Sequence, residues 1–440
     1  MSNIIEQNPE QTQTIAEKIV IRGGKPLIGR IRINGAKNSA LALLAAAALS
    51  EGSILLDNLP IISDVRYMLE ILNHIGFKID AEGDEPGSYR IIAPTEPLMT
   101  TPDNLARRFR ASYYFLGALL GRLGEASVAL PGGCNIGDRP IDQHLKGFRA
   151  LGAEVTMQES TGHIILKAKK LTGASIYFDV VSVGATINVM LAACRAQGVT
   201  TLENVAREPE IIDVANFLNA MGAQIRGAGT ETIRINGVDR LGGCDYTCIP
   251  DRIEAGTYMM AAVTTRGNLL LENVIPEHLE AVIAKLREMG VGIDCDLDWL
   301  RVNASLNKPK AAKINTLPYP GYPTDLQPPI MAVTAIACGE SQITENIFER
   351  RFGAVEGLNS MGANITIDGS SAIIHGVDKL QGANITATDL RAGATLLIAA
   401  LAAEGESQLF GVEHIDRGYD HLVERLADLG MDILRLPIEE

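Results

Sequence analysis

One cysteine of this chain stands among residues that could activate its thiol. Cys134 lies in the segment PGGCNIGDRPID, from Pro131 to Asp142, where its neighbours are glycine, asparagine, aspartate and arginine rather than apolar residues. Glycines let the backbone approach a ligand closely, and a nearby cation such as Arg139 favours the thiolate form. The segment therefore predicts a reactive thiol, although a lone cysteine is more often an inert core residue.

Cationic residues recur where a loop enters an apolar helical segment. The four are Lys37 (GAKNSAL), Arg110 (RFRASYY), Arg252 (DRIEAGT) and Arg391 (TDLRAGA). A helix N-terminus disfavours a cation by ~0.3–1 kcal/mol, whereas its exposed N–H groups are a ready site for phosphate or carboxylate. Four cations in equivalent positions predict an anionic ligand. The alternative for each one is a long side chain that bends into solvent.

Three aspartates, Asp251, Asp325 and Asp389, occupy the same junctions. Aspartate is a preferred N-cap that stabilises a helix by ~1 kcal/mol, so the spacing favours a cap for each. Asp325 differs because the prolines of PYPGYPT and LQPP stiffen the chain on both sides of it. Further arginines lie in loops equivalent to the Cys134 segment, where exposed surface residues are an equally good interpretation: Arg207, Arg350, Arg351 and Arg417.

The elements that must position these residues form a repeat. Six similar endings recur roughly every 68 to 76 residues, at Ile75, Leu151, Met221, Met289, Met361 and Leu429. An amphipathic helical pattern precedes each ending, and a short strand pattern such as GVTTLENV, from Gly198, precedes the helix. Each copy is predicted to be a small α/β unit that opens with an apolar helix of small residues.

The length of 440 residues predicts two domains. The sixth unit stops without its later strands, while KIVIRGGKPLIGRIRIN, from Lys18, supplies strands of the same style at the other end. We therefore expect the N-terminal segment to complete unit six. The predicted division is a mobile tail over 1–17, a first domain over 37–249, and a second domain over 18–36 plus 250–440.

Composition excludes several classes of function. The net charge of −14, with no basic face or stacking aromatics to offset it, argues against nucleic acid. The longest apolar run, Ala40–Leu49, is too short to span a bilayer, and a signal pattern is missing, so a cytoplasmic protein is expected. Scattered cysteines and histidines predict no disulfide, metal site or cofactor. An anionic small substrate remains compatible with the negative net charge. Arginines close to the ligand would attract it more strongly than distant acidic residues, screened by salt, would repel it.

The same loops carry a resemblance to a known family. NGAKN, RAS, LPGGCNIGDRP, SVGAT, AREPEI, PDRIE, YPTDLQ, FERRF, TDLRAG and HIDRGY follow one another in family order between Lys18 and the C-terminus. In these motifs the chain resembles the bacterial UDP-N-acetylglucosamine enolpyruvyl transferases (1-carboxyvinyltransferases). The resemblance implies an α/β fold of two inverse α/β barrel domains, each of three units, around a substrate cleft. It also implies enolpyruvyl transfer from phosphoenolpyruvate to the 3′-hydroxyl of UDP-N-acetylglucosamine, the first committed step of peptidoglycan synthesis.

The resemblance assigns roles residue by residue. It makes Cys134 the acid, or the site of a covalent adduct, and Asp325 the base at the sugar hydroxyl. The groups around the phosphate of phosphoenolpyruvate are Lys37, Arg139 and Arg417, and those around its carboxylate and the intermediate are Arg351, Asp389 and Arg391. The nucleotide-sugar, closure and other substrate-binding positions are Asn38, Arg110, Ser182, Val183, Gly184 and Ile347. The arginines neutralise charge, so the reaction is expected to need no metal.

One departure and two alternatives qualify this interpretation. Many members of the family carry a lysine two residues before the serine of SVGAT, where this chain has Val180. This difference predicts that the contact to the diphosphate of the nucleotide sugar is either weaker or supplied by another residue. The alternatives are enolpyruvyl transfer to shikimate 3-phosphate, by a related enzyme of the same architecture, and a non-catalytic nucleotide-sugar sensor.

Overall fold

The computed structural model describes residues 16–83, 86–130, 140–158 and 160–438. Up to residue 250 the elements are β1 (Glu17–Arg22), β2 (Ile28–Arg32), α1 (Lys37–Ala47), β3 (Ser53–Asp57), α2 (Ser63–His74), β4 (Lys78–Ala81), β5 (Tyr89–Ile92), α3 (Asp103–Ala106), a 3₁₀ turn (Arg110–Tyr113), α4 (Tyr114–Leu123), β6 (Glu125–Ala129), α5 (Asp142–Ala150), β7 (Glu154–Gln158), β8 (His163–Lys167), β9 (Ser175–Tyr177), α6 (Val183–Ala193), β10 (Val199–Glu203), α7 (Pro209–Ala220), β11 (Gln224–Arg226), β12 (Thr232–Asn236) and β13 (Asp245–Thr247).

The elements after residue 250 follow a similar order, with small differences. They are α8 (Arg252–Thr264), β14 (Asn268–Glu272), a 3₁₀ turn (Pro276–Leu279), α9 (Glu280–Glu288), β15 (Gly292–Cys295), β16 (Trp299–Asn303), β17 (Lys313–Asn315), a 3₁₀ turn (Thr324–Leu326), α10 (Gln327–Ala335), β18 (Glu340–Thr344), α11 (Val355–Ser360), β19 (Asn364–Asp368), β20 (Ser371–His375), β21 (Asn384–Thr386), α12 (Leu390–Ala402), β22 (Glu406–Phe410), α13 (Glu413–Asp416), α14 (Leu422–Asp428) and β23 (Asp432–Pro437).

The repeated α/β organisation that the sequence predicts is confirmed. The described strands form six separate sheets, five of four strands and one of three, and none of them closes into a barrel. The apolar opening helices lie inside: α8, α10 and α12 pack on one another, and α4 packs on α1 and α6. Because these helices are rich in alanine and other small residues, their backbones can approach closely and bury almost every side chain. None of the described helices has the length and apolarity to cross a membrane.

Each four-stranded sheet borrows its parallel strand from elsewhere in the chain. β9 pairs in parallel with β10, β17 with β18 and β21 with β22, so consecutive units interlock. β13 and β2 complete the pattern by pairing with β3 and β14. The prediction that the N-terminal segment completes unit six is confirmed for β1, which pairs with β22 and β23. It is wrong for β2, which joins the sheet of unit four because β13, the strand that precedes unit four in the chain, pairs with β3 instead.

The buried apolar residues form two separate cores. The first core runs from Ala36 to Cys248, and the second core combines Ile19–Ile33 with Ile253–Ile433. We propose that the domains divide at 36/37 and 249/250, and these two cores support that division. The predicted tail over 1–17 falls almost entirely outside the described residues, and β1 already begins at Glu17.

Candidate active site

A cavity of about 600 Å³ lies between the segments that carry the two cores. It brings together twelve of the fourteen residues to which the family resemblance assigns a role: Lys37, Asn38, Arg110, Ser182, Val183, Gly184, Asp325, Ile347, Arg351, Asp389, Arg391 and Arg417. The other two, Cys134 and Arg139, lie outside the described residues. Two arginines for which a surface role was equally expected do not line it, since Arg207 pairs with the exposed Glu231 and Arg350 is exposed.

Asp325 stands in the 3₁₀ turn that precedes α10, with both carboxylate oxygens engaged by arginines. Arg351 Nη2 donates to Oδ1 at 2.5 Å, and Arg391 Nη2 donates to Oδ2 at 2.9 Å. The prediction of an N-cap is wrong for Asp325, because the stiff proline-rich turn directs its side chain toward the arginines instead of the helix N–H groups. Asp251 and Asp389 do cap α8 and α12, as predicted.

Opposing effects act on the pKa of Asp325. Burial by itself would raise this pKa, but the charges of Arg391 and Arg351 hold it well below its usual range. The carboxylate is therefore ionised at any physiological pH. As long as both arginines remain on it, Asp325 is a poor proton acceptor, and a ligand that takes over the arginines would make it a better one.

The two arginines are themselves held in place. Arg391 is buried in the first turn of α12, where its Nη1 donates to Tyr419 Oη at 3.1 Å and Tyr419 pairs with Thr257 at 2.9 Å. The guanidinium of Arg351, also buried, lies over the ring of Phe348 at 5.5 Å from the centroid. Because both side chains are locked by packing and hydrogen bonds, the pair is organised in advance for a planar carboxylate.

Glu345 connects the segment before Asp325 to the segment before Arg351, a role that sequence patterns did not reveal. Its Oε1 accepts from Thr316 Oγ1 at 2.9 Å and from the backbone N–H groups of Ile347 and Phe348 at 2.8 and 3.1 Å. Its Oε2 accepts from Thr324 Oγ1 at 3.0 Å. Glu345 is buried, so these four hydrogen bonds fix the two segments against each other.

We expect Glu345→Ala to lower kcat about tenfold and to destabilise the fold by about 3 kcal/mol, because four buried donors lose their acceptor. Glu345→Gln is the matched control. Its amide can accept at one end and donate to Thr324 Oγ1 at the other, so it should stay within a few-fold of wild type. Turnover and thermal unfolding of both variants measure this difference. Equal losses in both would show that the charge of Glu345 matters rather than its hydrogen bonds.

A second carboxylate, Asp64, holds two cations across the cavity. Asp64 Oδ2 lies 2.9 Å from Lys37 Nζ, and Arg417 Nε donates to Oδ1 at 3.2 Å. Burial would raise the pKa of Asp64, but the charges of Lys37 and Arg417 outweigh burial and keep this pKa below its ordinary value. The backbone N–H of Lys37 donates to Asp251 at 2.9 Å, which fixes the start of α1.

Arg252 joins the two cores through a buried ion pair. Its Nε and Nη2 donate to the two carboxylate oxygens of Glu210 at 3.2 and 3.3 Å, and its guanidinium stacks on Tyr319 at 5.7 Å. The sequence predicted a ligand anion beside this residue. In the structure a protein carboxylate lies beside Arg252, as it does beside Lys37 and Arg391, and the ligand prediction stays a prediction.

The N-terminus of α6 forms another wall of the cavity. Ser182 caps the helix by accepting from the N–H of Ala185 at 3.2 Å. A Cβ on Gly184 would lie 3.1 Å from the ring of His144, so only glycine fits without displacing that ring. Val180, at 58% exposure, extends into the cavity just before this helix. Arg110, which also lines the cavity, lies over the ring of Tyr113 at 5.5 Å.

Comparisons with known proteins agree on one group of enzymes. Residues 21–426 match the family described as EPSP synthase (3-phosphoshikimate 1-carboxyvinyltransferase). UDP-N-acetylglucosamine 1-carboxyvinyltransferase 3 of Caldanaerobacter subterraneus subsp. tengcongensis is 56% identical over 422 residues, which cover 96% of this chain and 99% of the relative. UDP-N-acetylglucosamine 1-carboxyvinyltransferase 2 of Geobacillus kaustophilus is 52% identical over 420 residues, which cover 95% and 96%.

Solved structures show the same fold. The enolpyruvyl transferase NikO from Streptomyces tendae superposes with a TM-score of 0.87 at 28% identity, over 96% of this chain and all of that one. EPSP synthase from Acinetobacter baumannii has a TM-score of 0.74 at 19% identity, again over 96% of this chain and all of that one, and this likeness concerns the fold alone.

Proposed function

The chain belongs to the family of UDP-N-acetylglucosamine 1-carboxyvinyltransferases, and from this premise we propose that it transfers the enolpyruvyl group of phosphoenolpyruvate to the 3′-hydroxyl of UDP-N-acetylglucosamine. Phosphate is the second product, and the reaction is the first committed step of peptidoglycan synthesis. The observation that carries the proposal is the convergence on one cavity of Asp325 and seven cationic residues, which come from the segments of both cores: Lys37, Arg108, Arg110, Arg252, Arg351, Arg391 and Arg417. Both substrates are anionic metabolites, and we place the activity in the cytoplasm.

The reaction requires an acid and a base at the same time. The sugar oxygen forms a bond to C2 of phosphoenolpyruvate while it loses its proton, and C3 takes up a proton to give a tetrahedral intermediate. Loss of a C3 proton together with the C2–O bond to phosphate then gives the product. Cations around the phosphate and carboxylate stabilise the charge that develops, without reorganisation at the moment of reaction.

We assign the base role to Asp325, and its present partners suggest how it is activated. The carboxylate of phosphoenolpyruvate has the same shape and charge as the side chain that Arg351 and Arg391 now hold. A bound substrate carboxylate would draw the two guanidinium groups away from Asp325. The pKa of Asp325 would then rise toward its ordinary value, so that the base becomes effective when substrate is present.

We assign the acid role to Cys134, on the strength of its glycine-rich segment and of the family resemblance. A thiol with an ordinary pKa of ~8.5 keeps its proton near neutrality and can still donate it to a reactive carbon. In this proposal Lys37, Arg139 and Arg417 bind the phosphate. The start of α6, from Ser182 to Gly184, together with Asn38, Arg110 and Ile347, binds the nucleotide sugar, and Asp389 acts beside the intermediate.

Phosphate release with two competing acceptors tests the proposal. With phosphoenolpyruvate present, UDP-N-acetylglucosamine should support turnover, and shikimate 3-phosphate should neither support nor inhibit it. Turnover on shikimate 3-phosphate would instead establish the related activity. Nucleotide-sugar binding without any phosphate release would establish the non-catalytic sensor.

Val180→Lys tests how the nucleotide sugar is held. A lysine at this exposed position beside the N-terminus of α6 adds a cation near the proposed diphosphate site, worth up to ~1 kcal/mol or about fivefold in affinity. We expect the Kd for UDP-N-acetylglucosamine to fall by about this factor and to depend more steeply on salt. Val199→Lys, an exposed valine outside the cavity, is the control and should change neither. An unaltered Kd in Val180→Lys would place the diphosphate elsewhere.

A further inference from the structure

Asp64 is a buried carboxylate that the proposed chemistry does not use. It lies in the first turn of α2 with only 2% of its surface exposed. Its two partners come from opposite sides of the cavity, since Lys37 belongs with the first core and Arg417 with the second. A single side chain therefore connects both walls of the cavity through the two cations assigned to phosphate.

Burial of the Asp64 carboxylate costs desolvation free energy, and a stabilising role in the fold alone does not explain why this position is charged. A buried carboxylate loses its hydration, and a well-packed apolar residue often stabilises such a position as well as an ion pair does. Two cations brought together without Asp64 would repel each other, yet a phosphate group between them would relieve that repulsion as Asp64 does now. Asp64 and a phosphate group thus satisfy the same requirement of the same two side chains.

We propose that Asp64 is an internal counter-anion, which competes for Lys37 and Arg417 with the phosphate group of the substrate and with released inorganic phosphate. This inference rests on the proposed function, which assigns phosphate to that cation pair. Asp64 is a positioning residue: it holds the pair together across the cavity before phosphate arrives, and it weakens the grip of the pair on the product. Its negative charge also repels a phosphate dianion, so competition and repulsion both weaken phosphate binding.

Asp64→Asn should therefore bind inorganic phosphate more tightly. We expect its inhibition constant against phosphoenolpyruvate to fall at least tenfold, which corresponds to about 1.4 kcal/mol. kcat should fall as well, because product release becomes slower. Calorimetric titration of inorganic phosphate into the enzyme with UDP-N-acetylglucosamine bound measures the same change without turnover. Asp64→Ser should also bind inorganic phosphate more tightly. Agreement between the two variants would show that the effect does not come from a folding defect in one of them.

Asp420→Asn is the matched control. Asp420 also connects the two cores, since its Oδ2 accepts from the N–H of Ile61 at 2.9 Å and from Asn34 Nδ2 at 3.1 Å, but it contacts neither Lys37 nor Arg417 in the described hydrogen bonds and ion pairs. Its phosphate inhibition constant should stay within twofold of wild type. Unchanged or weaker phosphate binding in either folded Asp64 variant would overturn the proposal.

A crystal structure of the wild-type enzyme with inorganic phosphate gives an independent test that needs no variant. Arg417 Nε should contact the phosphate and lengthen or lose its bond to Asp64. Phosphate bound elsewhere, with Arg417 still on Asp64, would contradict the inference. Wild-type enzyme that releases no phosphate from its two substrates would instead count against the proposed function, so the two failures are distinguishable.

Discussion

Asp325→Asn is expected to lower kcat about a thousandfold while the KM for phosphoenolpyruvate stays the same or falls. The loss follows from the base role, since a positioned general base typically contributes 10²–10⁴-fold. The unchanged or lower KM follows from the ion pairs, because Arg351 and Arg391 no longer have a protein carboxylate that competes with the substrate. Steady-state kinetics with both substrates varied measure the two effects separately. A KM that rises in parallel with the loss of kcat would mean that Asp325 only holds the arginines in place.

The same variant should also lose stability, by about 3 kcal/mol at neutral pH, because two buried guanidinium groups lose their shared counter-charge. The sign of the pH dependence follows from the depressed pKa of Asp325. A carboxyl whose pKa is lower in the folded state stabilises the fold above its unfolded pKa of ~3.9 and stops doing so as the pH falls through the folded value. The stability difference between wild type and variant should therefore shrink as the pH falls below about 4. Asp378→Asn, an exposed surface replacement, should show no such difference.

Much of the fold could be predicted because the same strand and helix patterns recur along the sequence. The strand pattern from Gly198 and the amphipathic helix after it correspond to β10 and α7. The partner of each strand could not be predicted in the same way. β1 and β2 have similar patterns, but one completes unit six and the other unit four, and this choice depends on which sheet lacks a strand rather than on the residues themselves.

Residues of the cavity could be recognised in the sequence where they broke the repeat, but not where they followed it. Asp325 was conspicuous among prolines, whereas Glu345 occupies the same place in its strand pattern as Glu203 and Glu272. Glu203 is exposed and Glu272 is half-buried, whereas Glu345 is buried, although all three are glutamates at the same position of the strand pattern. Asp64 was missed for a related reason, since an aspartate in the first turn of a helix is ordinarily explained by the helix dipole. A search for acids able to balance Lys37 and Arg417 would have identified Asp64. It would still have missed Glu345, whose partners are hydroxyl and backbone N–H groups.

Cys134→Ser is the second replacement with a large expected effect, and it tests the part of the mechanism that rests on sequence alone. A serine hydroxyl holds its proton far more tightly than a thiol, so proton donation to C3 should become too slow. We expect phosphate release at neutral pH to fall at least a thousandfold, at the upper part of the range for general acid catalysis. UDP-N-acetylglucosamine binding should stay within several-fold, because the exchange of sulfur for oxygen leaves the cations in place.

The control for this replacement is Cys338→Ser, which alters an exposed thiol after α10, outside the cavity, and should leave turnover unchanged. A thiol-alkylating mimic of phosphoenolpyruvate adds a second readout. It should inactivate wild type and Cys338→Ser equally and be slowed by phosphoenolpyruvate, and one label should be incorporated per chain. If Cys134→Ser lost nucleotide-sugar binding together with turnover, the thiol would be structural. Asp325 would then need a different acid to complete the addition.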